Sequence, residues 1–178
     1  MVDEAQPRRQ AWHDAADRLA AEVAAGRPVV LLCEGDVSLF ATASYVLLAL
    51  RARHPGCAVR LIPGIPAVAA AAAAGAWPLA LQREGLLILP APEEPEAVEA
   101  LVEQAEGEGW VLALLKLGRR WPWVRPLLER RGLLAEALFA RRVGWPDQQV
   151  MAAASVESEA VPYFSLLLVR QGRAAVLP

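Results

Sequence analysis

Apolar residues return at helical spacing near the start of the chain: Trp12, Ala15, Ala16, Leu19, Ala20, Val23 and Ala24, with Asp14, Asp17, Arg18 and Glu22 on the other faces. This predicts an amphipathic helix, and Gly26 is a natural stop for it. Val29 to Cys33 is short and wholly apolar, the pattern of a parallel strand covered on both faces. Thr42 to His54 reads as a helix, Ala58 to Ile62 as a strand, and Ala67 to Ala76 as a helix of residues so small that it must pack closely. A strand over Leu86 to Leu89 and a helix over Ala97 to Ala105 follow, the helix introduced by Glu93, Glu94 and Glu96, whose charges suit its N-terminus. Val111 to Leu115 predicts a strand and Trp123 to Arg131 a short helix. Leu134 to Val143 and Tyr163 to Arg170 predict closing strands.

Strands alternating with helices argue for an α/β architecture with largely parallel pairing, and the two late strands for a mixed sheet. The best boundary lies near Pro63-Gly64, dividing residues 1–63 from 64–178. At 178 residues, 56% hydrophobic and 21% charged, the chain can bury a core and is not a disordered sequence. Its net charge of −2 gives no global attraction to nucleic acid or an anionic membrane, so an anionic substrate must be met by local cations. Cys33 and Cys57 lack CxxC or His partners and read as buried thiols of a reducing cytoplasm. Leu61 to Leu81 carries no charge, but its prolines, glycines and alanines describe an interior helix rather than a membrane span, and residues 1–10 have no apolar signal region.

Several motifs offer chemistry, each with a plainer structural reading. Glu34-Gly35-Asp36 ends a predicted strand; its glycine would admit a ligand closely and Asp36 could accept hydrogen bonds from one, yet Asp and Gly also favour simple turns. Pro63-Gly64-Ile65-Pro66-Ala67 could aim backbone N–H groups from a helix start at a polar ligand, or be a bend. Lys116-Leu117-Gly118-Arg119-Arg120 puts three cations after a strand, suited to a polycarboxylate or to solvent. Trp121, Trp123 and Trp145 could wall a flat ligand, although core filling is the stronger reading. His13 and His54 lack metal-ligand spacing. No nucleophilic triad, GxGxxG or P-loop is present.

Taken in order, Leu32-Cys33-Glu34-Gly35-Asp36-Val37-Ser38, Tyr45, Ile62-Pro63-Gly64-Ile65-Pro66-Ala67, Gly75-Ala76-Trp77-Pro78-Leu79, Leu87-Ile88-Leu89-Pro90-Ala91, Leu115-Lys116-Leu117-Gly118-Arg119 and Tyr163-Phe164-Ser165-Leu166-Leu167 resemble the tetrapyrrole (corrin/porphyrin) methylase family. Within it the series is most similar to the precorrin-2 C20-methyltransferase branch. The resemblance implies two α/β domains with an S-adenosyl-L-methionine cleft between them and methylation of a carbon of a tetrapyrrole, here precorrin-2 or its cobalt form at C20. It maps cofactor contacts onto Glu34, Gly35 and Asp36, onto Pro66 and Ala67, and onto Leu115 and Leu117. Lys116, Arg119 and Arg120 would pair substrate carboxylates; no general base and no metal is implied.

The chain departs from the family at two places. Pro66 offers neither the hydroxyl that relatives often carry there nor a backbone N–H. The initial strand and its GxGPGD loop do not precede the first helix, so the first domain is expected to lack its initial strands. The edge so exposed would favour a homodimer or pairing with a full-length enzyme. The alternatives are a shortened, non-catalytic relative serving as a binding or assembly subunit, or a chain read from too late a start.

Overall fold

The computed structural model describes residues 5–171. The chain forms two compact units, Met1–Pro66 and Ala67–Pro178.

In the first unit, α1 (Ala5–Ala24) lies against α2 (Thr42–Arg53). Ala16, Ala49 and Leu50 are buried between them, with Ala20 and Cys57 packed alongside. The Trp12 and Tyr45 rings stack with centroids 4.2 Å apart, 9° from parallel. The seam also carries charge. Asp17 accepts from Arg53 Nε at 2.8 Å and Nη2 at 2.6 Å, and lies 2.7 Å from His54 Nε2. Those hydrogen bonds, Arg53 first and His54 second, hold the Asp17 carboxyl well below the usual range. Gly26 ends α1 in the left-handed region at φ +78°, its N–H bonded to Val23 O at 2.9 Å.

The strands predicted at Val29 to Cys33 and Ala58 to Ile62 do not form. Both runs are chain without ladder pairing, and Val30, Leu32 and Ile62 are 77%, 87% and 67% exposed. Apolar composition supplies only half of a strand; the N–H and C=O groups also need a neighbour, and no backbone among the described residues pairs with either run. The two cysteines are accordingly half-buried free thiols rather than fully buried ones.

The second unit holds one five-stranded sheet of order β1-β2-β5-β3-β4. Its strands are β1 (Gly85–Pro90), β2 (Trp110–Leu115), β3 (Leu138–Arg141), β4 (Gln149–Ala152) and β5 (Ser165–Arg170). Only β1 and β2, joined through α4 (Pro95–Glu108), pair in parallel; β2–β5, β5–β3 and β3–β4 are antiparallel. The sheet is therefore mixed, as expected, but not largely parallel, because a single strand–helix–strand crossover lies within it. The predicted strand over Leu134 to Val143 is shorter: Leu134–Glu136 forms a 3-10 turn before β3.

Period-two alternation sends Leu112, Leu114, Leu167 and Val169 to one face of the sheet, against Val98, Val102 and Ala105 of α4 and Trp121, Val124, Leu127 and Leu128 of α5 (Trp121–Arg130). Ala113, Leu115, Ala140, Leu166 and Leu168 face the other way, against Val68, Ala71 and Ala72 of α3 (Ala67–Ala74). Both faces are covered, which explains why β2 and β5 are unbroken apolar runs. The alanines of α3 meet alanines of the sheet, and a Cβ on Gly75 just beyond the helix would come within 2.6 Å of Leu138 Cδ2.

Candidate functional site

In the first unit the candidate region is a clip between its two turns. Asp36 Oδ1 accepts the Ser38 N–H at 2.8 Å and also the Ser38 hydroxyl; Oδ2 accepts the Gly64 N–H at 2.9 Å. The Ser38 hydroxyl, then the Ser38 and Gly64 N–H groups, hold the Asp36 carboxyl below its usual range. The backbones meet as closely as glycine allows. A Cβ on Gly64 would lie 2.1 Å from Gly35 O and 3.0 Å from Gly35 C. Gly35 itself sits at φ +74°, a region that L side chains disfavour. Ser44 Oγ, donating to Val37 O at 2.8 Å, ties the same loop to the start of α2. Glu34 stays exposed beside the clip, and Pro66 is half-buried at the end of the unit.

The resemblance maps Glu34, Gly35 and Asp36 to the cofactor, and the structure brings the last two together with Gly64. Asp36 lies in this clip with both oxygens hydrogen-bonded, so it sets the shape of the turns, while its carboxylate keeps further lone pairs able to accept. Ser38 and Gly64 were not recognised as its partners. An Asp-x-Ser spacing is a known turn signal and could have revealed Ser38; Gly64, 28 positions away, has no local signature.

A separate candidate region, in the second unit, is the strand end after β2. Lys116 takes a left-handed conformation (φ +59°), as does Gly118 (φ +48°). The backbone around them is pinned. Leu115 O accepts the Ala91 N–H at 2.7 Å, and the Leu117 N–H donates to Ser165 O at 3.2 Å with its side chain wholly buried. Arg120 Nη1 donates to Lys116 O at 2.9 Å. Arg119 and Arg120 then converge on one carboxylate, Glu93: Arg119 Nη2 at 3.1 Å from Oε2, and Arg120 Nη2 on Oε1. The Arg119 hydrogen bond leads in lowering the Glu93 carboxyl, with both arginine charges adding. Two of the three predicted cations thus converge, on a carboxylate that the chain itself provides, while Lys116 Nζ lies 5.8 Å from the Tyr163 ring centroid instead. Glu93, predicted to serve the N-terminus of α4, lies before that helix and serves the arginines instead. Ala67 is exposed at the first turn of α3.

Of the three tryptophans, Trp121 fills core, with its Nε1 donating to Glu157 O at 2.8 Å, and Trp123 is half-buried. Trp145 is exposed beside Phe164, at a centroid distance of 6.1 Å. No cluster of potential metal ligands occurs among the described residues.

Comparison with known proteins places this arrangement. Residues 1–157 match the model of the Tetrapyrrole (Corrin/Porphyrin) Methylases. The chain is 36% identical over 166 residues to the cobalamin biosynthesis protein CobIJ of Mycobacterium tuberculosis, which covers 93% of this chain and 31% of that protein. It is 32% identical over 164 residues to the cobalt-precorrin-2 C(20)-methyltransferase of Salmonella typhimurium, covering 90% of this chain and 65% of the relative. The chain therefore spans about a third to two-thirds of the length of these curated relatives. Among solved structures, the methyltransferase CobJ superposes with a TM-score of 0.63 at 30% identity, over 89% of this chain and 71% of that one. The ordered turns, the mixed sheet and these matches agree: the chain belongs to the tetrapyrrole (corrin/porphyrin) methylase family.

Proposed function

We propose that this chain binds S-adenosyl-L-methionine and methylates a ring carbon of a tetrapyrrole in cobalamin biosynthesis, with precorrin-2 or cobalt-precorrin-2 as substrate and C20 as the carbon. The observation that carries this reading is the clip, in which Asp36 and Gly64 fix the two glycine turns onto which the family resemblance maps the cofactor. The match to a C20-methyltransferase supports the choice of carbon.

The residues of the first unit fit such a cofactor in kind. Glu34 offers an exposed carboxylate for its amine or ribose hydroxyls, and the glycine turns bare their backbone. Pro66 adds shape alone. When bound, the cofactor supplies an activated sulfonium methyl group. The protein's own task is then to orient and to exclude water, catalysis by proximity with no base required of a side chain. Ala67, Leu115 and Leu117 would provide backbone contact, and Lys116, Arg119 and Arg120 would meet substrate carboxylates, the last two by exchanging Glu93 for the ligand. We place this activity in a homodimer of the cytoplasm; no helix among the described residues is long and apolar enough to cross a membrane.

A second reading, a binding or assembly subunit without turnover, is favoured by the unpaired, exposed runs at Val29 to Cys33 and Ala58 to Ile62. Incubation with S-adenosyl-L-methionine and precorrin-2, read by mass spectrometry, separates the two. A product carrying one more methyl group supports the first; no product from a folded chain that still binds S-adenosylhomocysteine supports the second.

A further inference from the structure

The first unit leaves much of its apolar surface uncovered. Its buried cluster is small, Ala16, Ala49 and Leu50, while the runs Val29 to Cys33 and Ala58 to Ile62 are mostly exposed. Exposure alternates along the first run: Val30 and Leu32, at 77% and 87%, lie open, and Val29 and Leu31, at 37% and 53%, are partly covered. The second run repeats this, with Ile62 at 67% against Val59 and Leu61 at 46% and 44%. Such alternation is that of strands, whose side chains point to opposite sides in turn. Each run thus has one half-covered face and one bare face, and bare apolar surface of this kind marks an interaction site.

The backbone adds a second requirement. Asp36 Oδ2 accepts the Gly64 N–H at 2.9 Å, so the clip holds the ends of the two runs together. Yet no backbone hydrogen bond joins residues 29–33 to 58–62, or either run to any other described residue. Neighbouring strands of a ladder stand about 4.8 Å apart and bond along their length; these runs are tethered at one end and unjoined beyond it. Neither contains a proline, so every N–H in them can donate. Their N–H and C=O groups form the kind of row that an incoming strand pairs with, recognition by strand addition.

We infer that this face docks a strand-bearing segment of a separate polypeptide. An apolar stretch of about five residues lies along the two runs by backbone hydrogen bonds, and the helix that follows it covers Val30, Leu32 and Ile62. Such a unit needs about 30 residues. The match to the cobalt-precorrin-2 C(20)-methyltransferase of Salmonella typhimurium covers 65% of that protein, and the remainder is long enough to hold one. A second copy of this chain is a poorer occupant, because it brings the same two unpaired runs and so a new open edge with every one it fills. A lipid surface fits less well too, since Glu34 and Arg60 stand exposed at these runs. Docking of this kind requires no turnover and goes beyond the methylation reading above.

The test combines the full chain with one probe, the longest stretch of the Salmonella typhimurium enzyme outside the match, made as a separate polypeptide. Native mass spectrometry should show a one-to-one complex. Amide exchange over residues 29–33 and 58–62 should slow about tenfold or more, with β1 to β5 unchanged. Leu31→Pro and Leu32→Pro each keep an apolar side chain and remove one N–H. Successive N–H groups point to opposite edges of a strand, so at least one of the two variants should lose the complex. Unchanged exchange in α2 and the sheet confirms that the variants fold. Absence of a complex overturns the inference, as does one that leaves both runs exchanging as in the free chain. A complex that both proline variants retain also overturns it, by showing apolar adhesion without strand pairing. Slowing that depends on the concentration of this chain alone, with the mass of a dimer, overturns it as well and gives the face to a second copy. S-adenosylhomocysteine titration run alongside judges the cofactor reading separately: binding with no complex formed keeps that reading and defeats the docking.

Discussion

Gly64→Ala is the smallest change that should undo the candidate site. Gly64 has no positive φ, so alanine meets no backbone strain there; the whole penalty is steric. The new Cβ would lie 2.1 Å from Gly35 O, 3.0 Å from Gly35 C and 3.4 Å from Asp36 Cα. All three are backbone atoms, so no side chain can swing away, and the turns must part by about 1 Å at an overpacking cost of about 1–3 kcal/mol. That movement stretches the 2.9 Å bond from the Gly64 N–H to Asp36 beyond hydrogen-bonding range. Gly35→Ala is the informative contrast. Its Cβ would meet only Ile65 O at 3.6 Å, so its cost is the left-handed backbone itself, about 1–2 kcal/mol. Hydrogen exchange read by mass spectrometry over residues 28–40 and 57–66, with the sheet of the second unit as internal reference, measures the outcome. Gly64→Ala should accelerate exchange in both windows, leave the sheet unchanged, and return the Asp36 carboxyl toward its usual value in an NMR titration. Unchanged exchange together with an Asp36 carboxyl lowered as far as in the parent would refute the clip, since the Ser38 bonds alone keep it partly lowered.

Other predictions follow from the second unit. Glu84 is desolvated, which raises its pKa, but hydrogen bonds from Arg170 (2.9 and 3.2 Å) and the Leu81 N–H (2.7 Å) outweigh this and leave it lowered. Its folded value lies below the usual 4.5, so its contribution is full above that pH and fades as the pH falls through the folded value. Glu84→Gln should cost about 1–3 kcal/mol at pH 7, with the difference from the parent narrowing in acid melts. Glu93→Gln removes the internal carboxylate from Arg119 and Arg120 and should strengthen uroporphyrin binding in low salt; weaker binding would show that Glu93 orders the arginines rather than competing for them.

The fold was legible in the sequence where composition and environment agree. The runs of β2 and β5 are apolar on both faces because helices cover both faces. The same pattern misled at Val29 to Cys33 and Ala58 to Ile62, since an apolar run states what a strand would bury but not whether a neighbour exists to pair with it. β4 was missed because Gln-Val-Met-Ala is too short to show a period, and β3 was overextended across residues that turn at Leu134–Glu136. In the site, the local motifs were visible and their long-range partners were not. Asp36 meets Gly64, and Arg119 and Arg120 meet Glu93, across 26 or more positions. Among the tryptophans, core filling holds for Trp121, whereas Trp145 stays exposed beside Phe164, a neighbour that the sequence spacing does not show.

Calorimetric titration of the full chain with S-adenosylhomocysteine tests the central claim most directly. The account predicts saturable binding at one site per chain, abolished or strongly weakened by Gly64→Ala. A folded chain that takes up no ligand, or one whose affinity ignores Gly64→Ala, would contradict it.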